Sequence, residues 1–175
     1  AVNLSARQFR DSNLVSLVRE VLTETQLEPR WLELEITESM LMDNIEQAIE
    51  ILTELKKLGV TVTIDDFGTG YSSLSYLTQL PVDKLKVDRS FVSNLPESAR
   101  HTAITTAIIA MAQRLKLQVV AEGVETASQA NFLLDNQCNI LQGFLFSPPV
   151  NPESLDQTLT QLGLMLETGT ARCPA

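Results

Sequence analysis

Short runs of strand character alternate six times with longer runs of helical periodicity, and this alternation constrains the fold more than any other feature of the chain. Residues 32–36 alternate apolar and polar side chains, as a strand with two unlike faces does. Residues 60–64, 84–87, 117–121 and 140–144 read as further strands, and 2–4 as the end of another. Helical spacing of apolar residues predicts helices over 12–25, 44–58, 103–115 and 126–136, with a short one over 74–80. Asn44 and Thr126 stand where helix caps belong, Gly59 and Pro81 where helices stop, and Asn151-Pro152 opens a terminal helix. Such repetition gives an α/β domain with a parallel sheet covered by helices. The sheet can remain open and doubly wound or close into a barrel, and a barrel needs eight units and typically ~250 residues. With 175 residues, about six units and a start almost inside a strand, the expectation is a (β/α)₈ TIM-like barrel lacking about two units. The barrel portion is expected over 1–163, with a C-terminal tail over 164–175.

The formal net charge of -9 excludes an electrostatic grip on duplex nucleic acid, which needs clustered Lys and Arg. It leaves room for an anionic small molecule held through divalent metals on carboxylates. Cys138 and Cys173 fit neither a metal spacing nor a disulfide framework, so a reducing, cytoplasmic setting is expected. No apolar run reaches the ~18 residues of a membrane-spanning helix, and no membrane insertion by this segment is expected. The single histidine, His101, lies in a polar stretch and reads as part of a surface helix N-terminus.

The polar residues gather at strand ends. Asn3 ends the first strand, Glu35 lies near the end of the second, and Asp65 and Asp66 end the third. Lys86 lies near the end of the fourth, Glu122 ends the fifth, and Gln142 lies in the sixth. In a (β/α)₈ barrel these C-terminal ends share one mouth, where active sites lie. An oxygen-rich set of this kind suits Mg²⁺ or Mn²⁺. The adjacent Asp65-Asp66 pair could bridge two metals, an arrangement used in phosphodiester cleavage. Lys86 could hold a phosphate or orient a hydroxide, and Glu122 could accept a proton. Taken singly, each acidic residue is an ordinary solvated strand end; the coincidence of six carries the argument. Glu33 and Asp83 gain no role from it. The run from Asp66 to Ser73 has two glycines in three residues and reads as a loop shaping the site. A kinase D-F-G reading fails, because no glycine-rich nucleotide loop or catalytic-loop motif precedes it.

These runs, in order, resemble the motifs of the EAL domain family: Val2-Asn3-Leu4-Ser5, Glu33-Leu34-Glu35-Ile36-Thr37-Glu38-Ser39, Asp65-Asp66-Phe67-Gly68-Thr69-Gly70-Tyr71-Ser72-Ser73, Leu85-Lys86-Val87-Asp88, Ala121-Glu122-Gly123-Val124-Glu125-Thr126 and Gln142-Gly143-Phe144. The resemblance covers residues 1 to about 150. It implies a barrel phosphodiesterase that linearises the bacterial second messenger cyclic di-GMP to 5′-pGpG with Mg²⁺ or Mn²⁺, by two-metal catalysis. It implies Asn3, Glu35, Asp65 and Asp66 as metal ligands, and Lys86 as a contact to the metal-held water or a phosphate. Glu122 becomes the water-positioning carboxylate and general base, Glu125 and Gln142 complete the site, and Glu38 anchors the loop 67–73, which in the family also serves dimer contacts. It further implies a homodimer and accompanying GGDEF cyclase or sensor domains. The family's Glu-Ala-Leu motif and its nearby substrate-binding Arg have no counterpart here, and Pro148 stands where a basic residue is frequent. The isolated chain is therefore expected to be weakly active or inactive. The alternative is a degenerate domain that binds cyclic di-GMP or mediates protein contacts, or a fragment with no ligand. Degenerate members usually lose several metal ligands, whereas every such position within this span is filled.

Overall fold

Six strands lie in one sheet in chain order, β1 (Val2–Asn3), β2 (Glu33–Thr37), β3 (Thr61–Phe67), β4 (Lys84–Val87), β5 (Gln118–Ala121) and β6 (Ile140–Leu141). The computed structural model describes residues 1–42, 44–70 and 74–167. A doubly wound sheet reverses its strand order at a switch point. A strictly sequential order has no such point and belongs to the barrel type expected from the repeat. The described pairings are parallel: β1 with β2, β2 with β3, and β5 with β6. The helices between them are α1 (Ala6–Phe9), α2 (Leu14–Thr25), α3 (Glu38–Met42), α4 (Ile45–Lys57), α5 (Leu74–Leu77), α6 (Arg89–Val92), α7 (Ala99–Arg114), α8 (Ala127–Asp135) and α9 (Leu155–Glu167). No helix among the described residues is long and apolar enough to cross a membrane.

The chain divides into two compact units. The first comprises Ala1–Lys86 with Ala112–Gln118, and the second Val87–Met111 with Val119–Ala175. In the first, Leu34, Ile36, Val62, Ile64 and Leu85 are buried on the sheet, and Leu52 and Leu55 of α4 are fully buried. Asn44 caps α4, its Oδ1 accepting from the Gln47 amide at 3.2 Å, and Gly59 follows the helix with φ of +91°. The sheet and α4 are stapled by Asp83. Its carboxylate accepts from Lys56 Nζ at 2.7 Å and from the Val62 amide at 2.8 Å, tying α4, β3 and the start of β4 together.

In the second unit, Val87, Val92, Leu95, Ile109, Val124 and Leu133 form the buried core. Thr126 and Gln129 make a capping box at the start of α8. Asn151 accepts from the Ser154 amide at 3.0 Å, capping a 3₁₀ turn over Pro152–Ser154 that continues into α9.

Several boundaries differ from the sequence reading. β3 runs to Phe67, so Asp65 and Asp66 lie within the strand rather than at its end. β6 stops at Leu141, which puts Gln142 beyond the strand, and β5 stops at Ala121, which puts Glu122 just after it. α7 begins at Ala99, four residues earlier than the apolar stripe indicates, because its first turn is polar. His101 lies in that turn, with Nδ1 2.7 Å from Ser98 Oγ. The four-residue helices α1 and α6 and the five-residue α3 have too few turns to show periodicity and were not legible.

Candidate functional site

In the first unit, parallel register sets the polar residues side by side. Asn3 on β1 is level with Glu35 on β2, and Thr37 on β2 is level with Asp65 on β3. Lys86 of β4 reaches across to both acids, with Nζ 3.1 Å from Glu35 Oε2 and 3.1 Å from Asp65 Oδ1. The Lys86 side chain is only 6% exposed, and a buried ammonium is tolerable because two carboxylates share it. Leu34, Ile36, Ile64, Leu85 and Val87 alternate with these residues and are almost wholly buried. The same face repeats the pattern one pleat lower. Glu33 accepts from Thr63 Oγ1 at 2.6 Å and from Lys84 Nζ at 2.6 Å. Burial pushes the Glu33 carboxyl up, but the hydrogen bonds from Lys84 and Thr63 and the charge of Lys84 outweigh it and hold the pKa below the usual carboxylate value. Three strands thus carry two stacked rows, Glu33–Thr63–Lys84 and Glu35–Asp65–Lys86.

Asp65 and Asp66 pose a geometrical problem. Neighbours on a regular strand point to opposite faces, so an adjacent pair should not converge. Here Asp66 takes a left-handed backbone, φ +55°, which breaks the alternation. A carboxylate oxygen of each then lies within 4.8 Å of the other. The Asp66 amide donates to Asp65 Oδ1 at 3.0 Å, which fixes the first carboxylate as the chain turns. Aspartate is among the few residues that tolerate this conformation.

Glu38 opens α3 and is 2% exposed. Its Oε2 accepts from the Gly68 amide at 2.8 Å, and its Oε1 sits where a side chain at Gly70 would begin, 2.6 Å from the ideal Cβ position. The glycine at 70 therefore permits the loop to lie on the carboxylate. Tyr71, Ser72 and Ser73 of the same motif lie outside the described residues.

In the second unit, Glu122 follows β5 directly, and its amide donates to the Val87 carbonyl at 3.1 Å. Glu125 is exposed and accepts from Arg89 Nη2 at 2.6 Å. Gln142 is fixed through its backbone, its amide donating to Ala121 O at 2.8 Å and its carbonyl accepting from the Val124 amide at 3.1 Å. Cys138 is buried, and burial pushes its thiol up to about 11, which keeps it a neutral thiol rather than a nucleophile. Cys173 lies outside the described residues.

Sequence reasoning passed over Glu33, Asp83 and Arg89, each of which has a charged partner. For Glu33 a signal was present: Glu33, Thr63 and Lys84 each stand two residues before Glu35, Asp65 and Lys86, on the same strand face.

The family model described as EAL domain matches residues 1–149. The cyclic di-GMP phosphodiesterase NbdA of Pseudomonas aeruginosa is 53% identical over 159 residues, 91% of this chain and 20% of its own length. MucR of the same organism, a bifunctional diguanylate cyclase/cyclic di-GMP phosphodiesterase, is 49% identical over 89% of this chain and 23% of its own length. The structure of the PaMucR phosphodiesterase in complex with c-di-GMP superposes with a TM-score of 0.85, covering 88% of this chain and 62% of that one, at 49% identity. BlrP1 of Klebsiella pneumoniae, solved as a manganese/cy-diGMP complex, gives a TM-score of 0.78 at 34% identity, covering 85% of this chain and 38% of that one. The chain thus spans about a fifth of the length of the curated relatives it matches, 20–23%.

Proposed function

The chain belongs to the EAL domain family, and on that premise we propose that the protein carrying it hydrolyses cyclic di-GMP to 5′-pGpG with two divalent metal ions. The observation that carries the reading is the pair of adjacent aspartates, Asp65 and Asp66, turned onto each other beside a lysine already shared by Glu35 and Asp65. Asn3, Glu35, Asp65 and Asp66 offer only oxygen donors, which fit Mg²⁺ or Mn²⁺ and not a softer metal. Bound there, such ions would supply positive charge against the oxygens of the phosphodiester. Manganese together with the nucleotide in BlrP1 supports the class of cofactor.

The chain's own residues divide the remaining tasks. Lys86, fixed between two acids, holds its ammonium ready for a non-bridging phosphate oxygen or for the attacking water. Glu122 takes up the proton of that water, and Gln142 borders the same loop. Glu38 holds the loop after β3 in place through Gly68. Accompanying GGDEF or sensor domains, a homodimer and a cytoplasmic location belong to the same reading. They are supported by the family resemblance and, for the companion domains, by the small share of MucR that the chain spans.

The test is direct. Purified full-length protein with Mg²⁺ or Mn²⁺ is expected to release 5′-pGpG from cyclic di-GMP, and a chelator is expected to stop it. Tight nucleotide binding with no product under either metal would assign a receptor instead.

A further inference from the structure

The loop that carries Glu122 is held from outside the site by a short helix and one buried amide. Gln129, 5% exposed, is the third residue of α8. Its Oε1 accepts from two successive amides, Glu125 N at 2.7 Å and Thr126 N at 3.0 Å. Its Nε2 donates to the Ser93 carbonyl at 3.2 Å, just past the end of α6. A capping box alone needs only the Thr126 contact; the bonds to Glu125 and Ser93 reach beyond it.

At the other end of α6, Arg89 forms its 2.6 Å ion pair with Glu125 and lays its stem over Gly123. A Cβ on Gly123 would sit 2.3 Å from Arg89 Cγ, and the glycine has φ of +67°. On the opposite side, a Cβ on Gly143 would come within 2.1 Å of Val124 O, and the Leu145 amide donates to that same oxygen at 3.0 Å. The segment from Glu122 to Thr126 is therefore fixed by α6 on one side and by the 142–145 backbone on the other.

Resting on the phosphodiesterase reading, we propose that Gln129 and the Arg89–Glu125 pair are positioning groups that hold the Glu122 loop, and that none of the three touches substrate. Gln129 satisfies two amides that would otherwise be free to turn, and it ties them to α6. Arg89 and Glu125 close the other end of the same splint. Glu125, which the family resemblance has completing the site, does so as the partner of Arg89.

A displaced catalytic group lowers the rate of the chemical step without weakening ground-state binding, so kcat falls while KM is kept. Displacements of an ångström arising away from the chemistry cost about 10²-fold. In the full-length protein, Gln129→Ala is expected to lower kcat by about tenfold to 10²-fold, with KM for cyclic di-GMP within about threefold of wild type. Gln129→Glu retains an acceptor for both amides but loses the donor to the Ser93 carbonyl and sets a buried carboxylate against it, so it is expected to recover little of that loss. Arg89→Met keeps the stem over Gly123 and removes the exposed ion pair, so it does not threaten folding. It is expected to cost a few-fold in kcat at unchanged KM.

Amide hydrogen exchange gives a second readout independent of turnover. Protection of residues 122–126 should fall in Gln129→Ala, while that of β5 stays as in wild type. Wild-type kcat and unchanged exchange in Gln129→Ala would overturn the proposal. So would a tenfold rise in KM for Arg89→Met, which would make the guanidinium a substrate contact. Absence of turnover in the wild type would instead defeat the phosphodiesterase reading, with the exchange result still deciding the splint.

Discussion

The β2–β4 rows and the β5–α8 loop hold acidic groups by opposite means. On β2–β4 the side chains secure one another: Lys86 lies between Glu35 and Asp65, and Lys84 and Thr63 hold Glu33. On the loop it is the backbone that is secured: the Glu122 amide goes to Val87 O, the Val124 amide to Gln142 O, and the Glu125 amide to Gln129 Oε1. The difference teaches where function and stability are entangled. Removing Lys86 from the first region takes away the cation that Glu35 and Asp65 share. In the second, neutralising the Glu122 carboxylate leaves these three backbone bonds in place.

The sharpest break of this comparison is Glu122→Gln. Loss of a positioned acid–base group costs about 10²–10⁴-fold in kcat, and the melting temperature is expected to stay near that of wild type. Unchanged kcat would remove Glu122 from the chemistry, and a large drop in melting temperature would show that its side chain supports the fold. Next comes Lys86→Met, which leaves Glu35 and Asp65 facing each other in a buried setting. Breaking such a pair from one side costs about 3–5 kcal/mol, to be read from urea titration. A loss well under 1 kcal/mol would mean that solvent or a metal already compensates the two acids. The smallest effect sharpens the lower row. The folded pKa of Glu33 is depressed. Its stabilising contribution is therefore complete above the ordinary carboxylate value of 4.5 and is lost as pH falls through the folded value. At pH 7, Glu33→Gln is expected to be less stable than wild type by about 1–2 kcal/mol, and the gap should close under acid. A gap of equal size at pH 7 and pH 3 would show that packing, not charge, holds the row.

Much of this was legible in the sequence because alternation is a local signal. Leu34, Glu35 and Ile36 announce their faces by their order, and the same holds for Leu85, Lys86 and Val87. The caps at Asn44 and Thr126 were legible for the same reason, since capping needs only near neighbours. What escaped depends on distance or on backbone angles. Lys84 and Glu33 are 51 residues apart, and Lys56 and Asp83 27 apart, so their pairing is a product of sheet register. Arg89 stands in a helix too short to show a period. The left-handed turn at Asp66 leaves no mark in the sequence beyond an aspartate that can bear it.

That turn has a consequence for selection. The turn itself asks of position 66 only a residue that bears a left-handed backbone, and the aspartate there brings its carboxylate close to another. Asparagine has the same shape, accepts the same backbone angles and carries no charge. The backbone alone would therefore let Asp66→Asn through, and a sort for turnover is what tests the charge. On the proposed two-metal reading, the backbone selects the shape at position 66 and the cations select its charge.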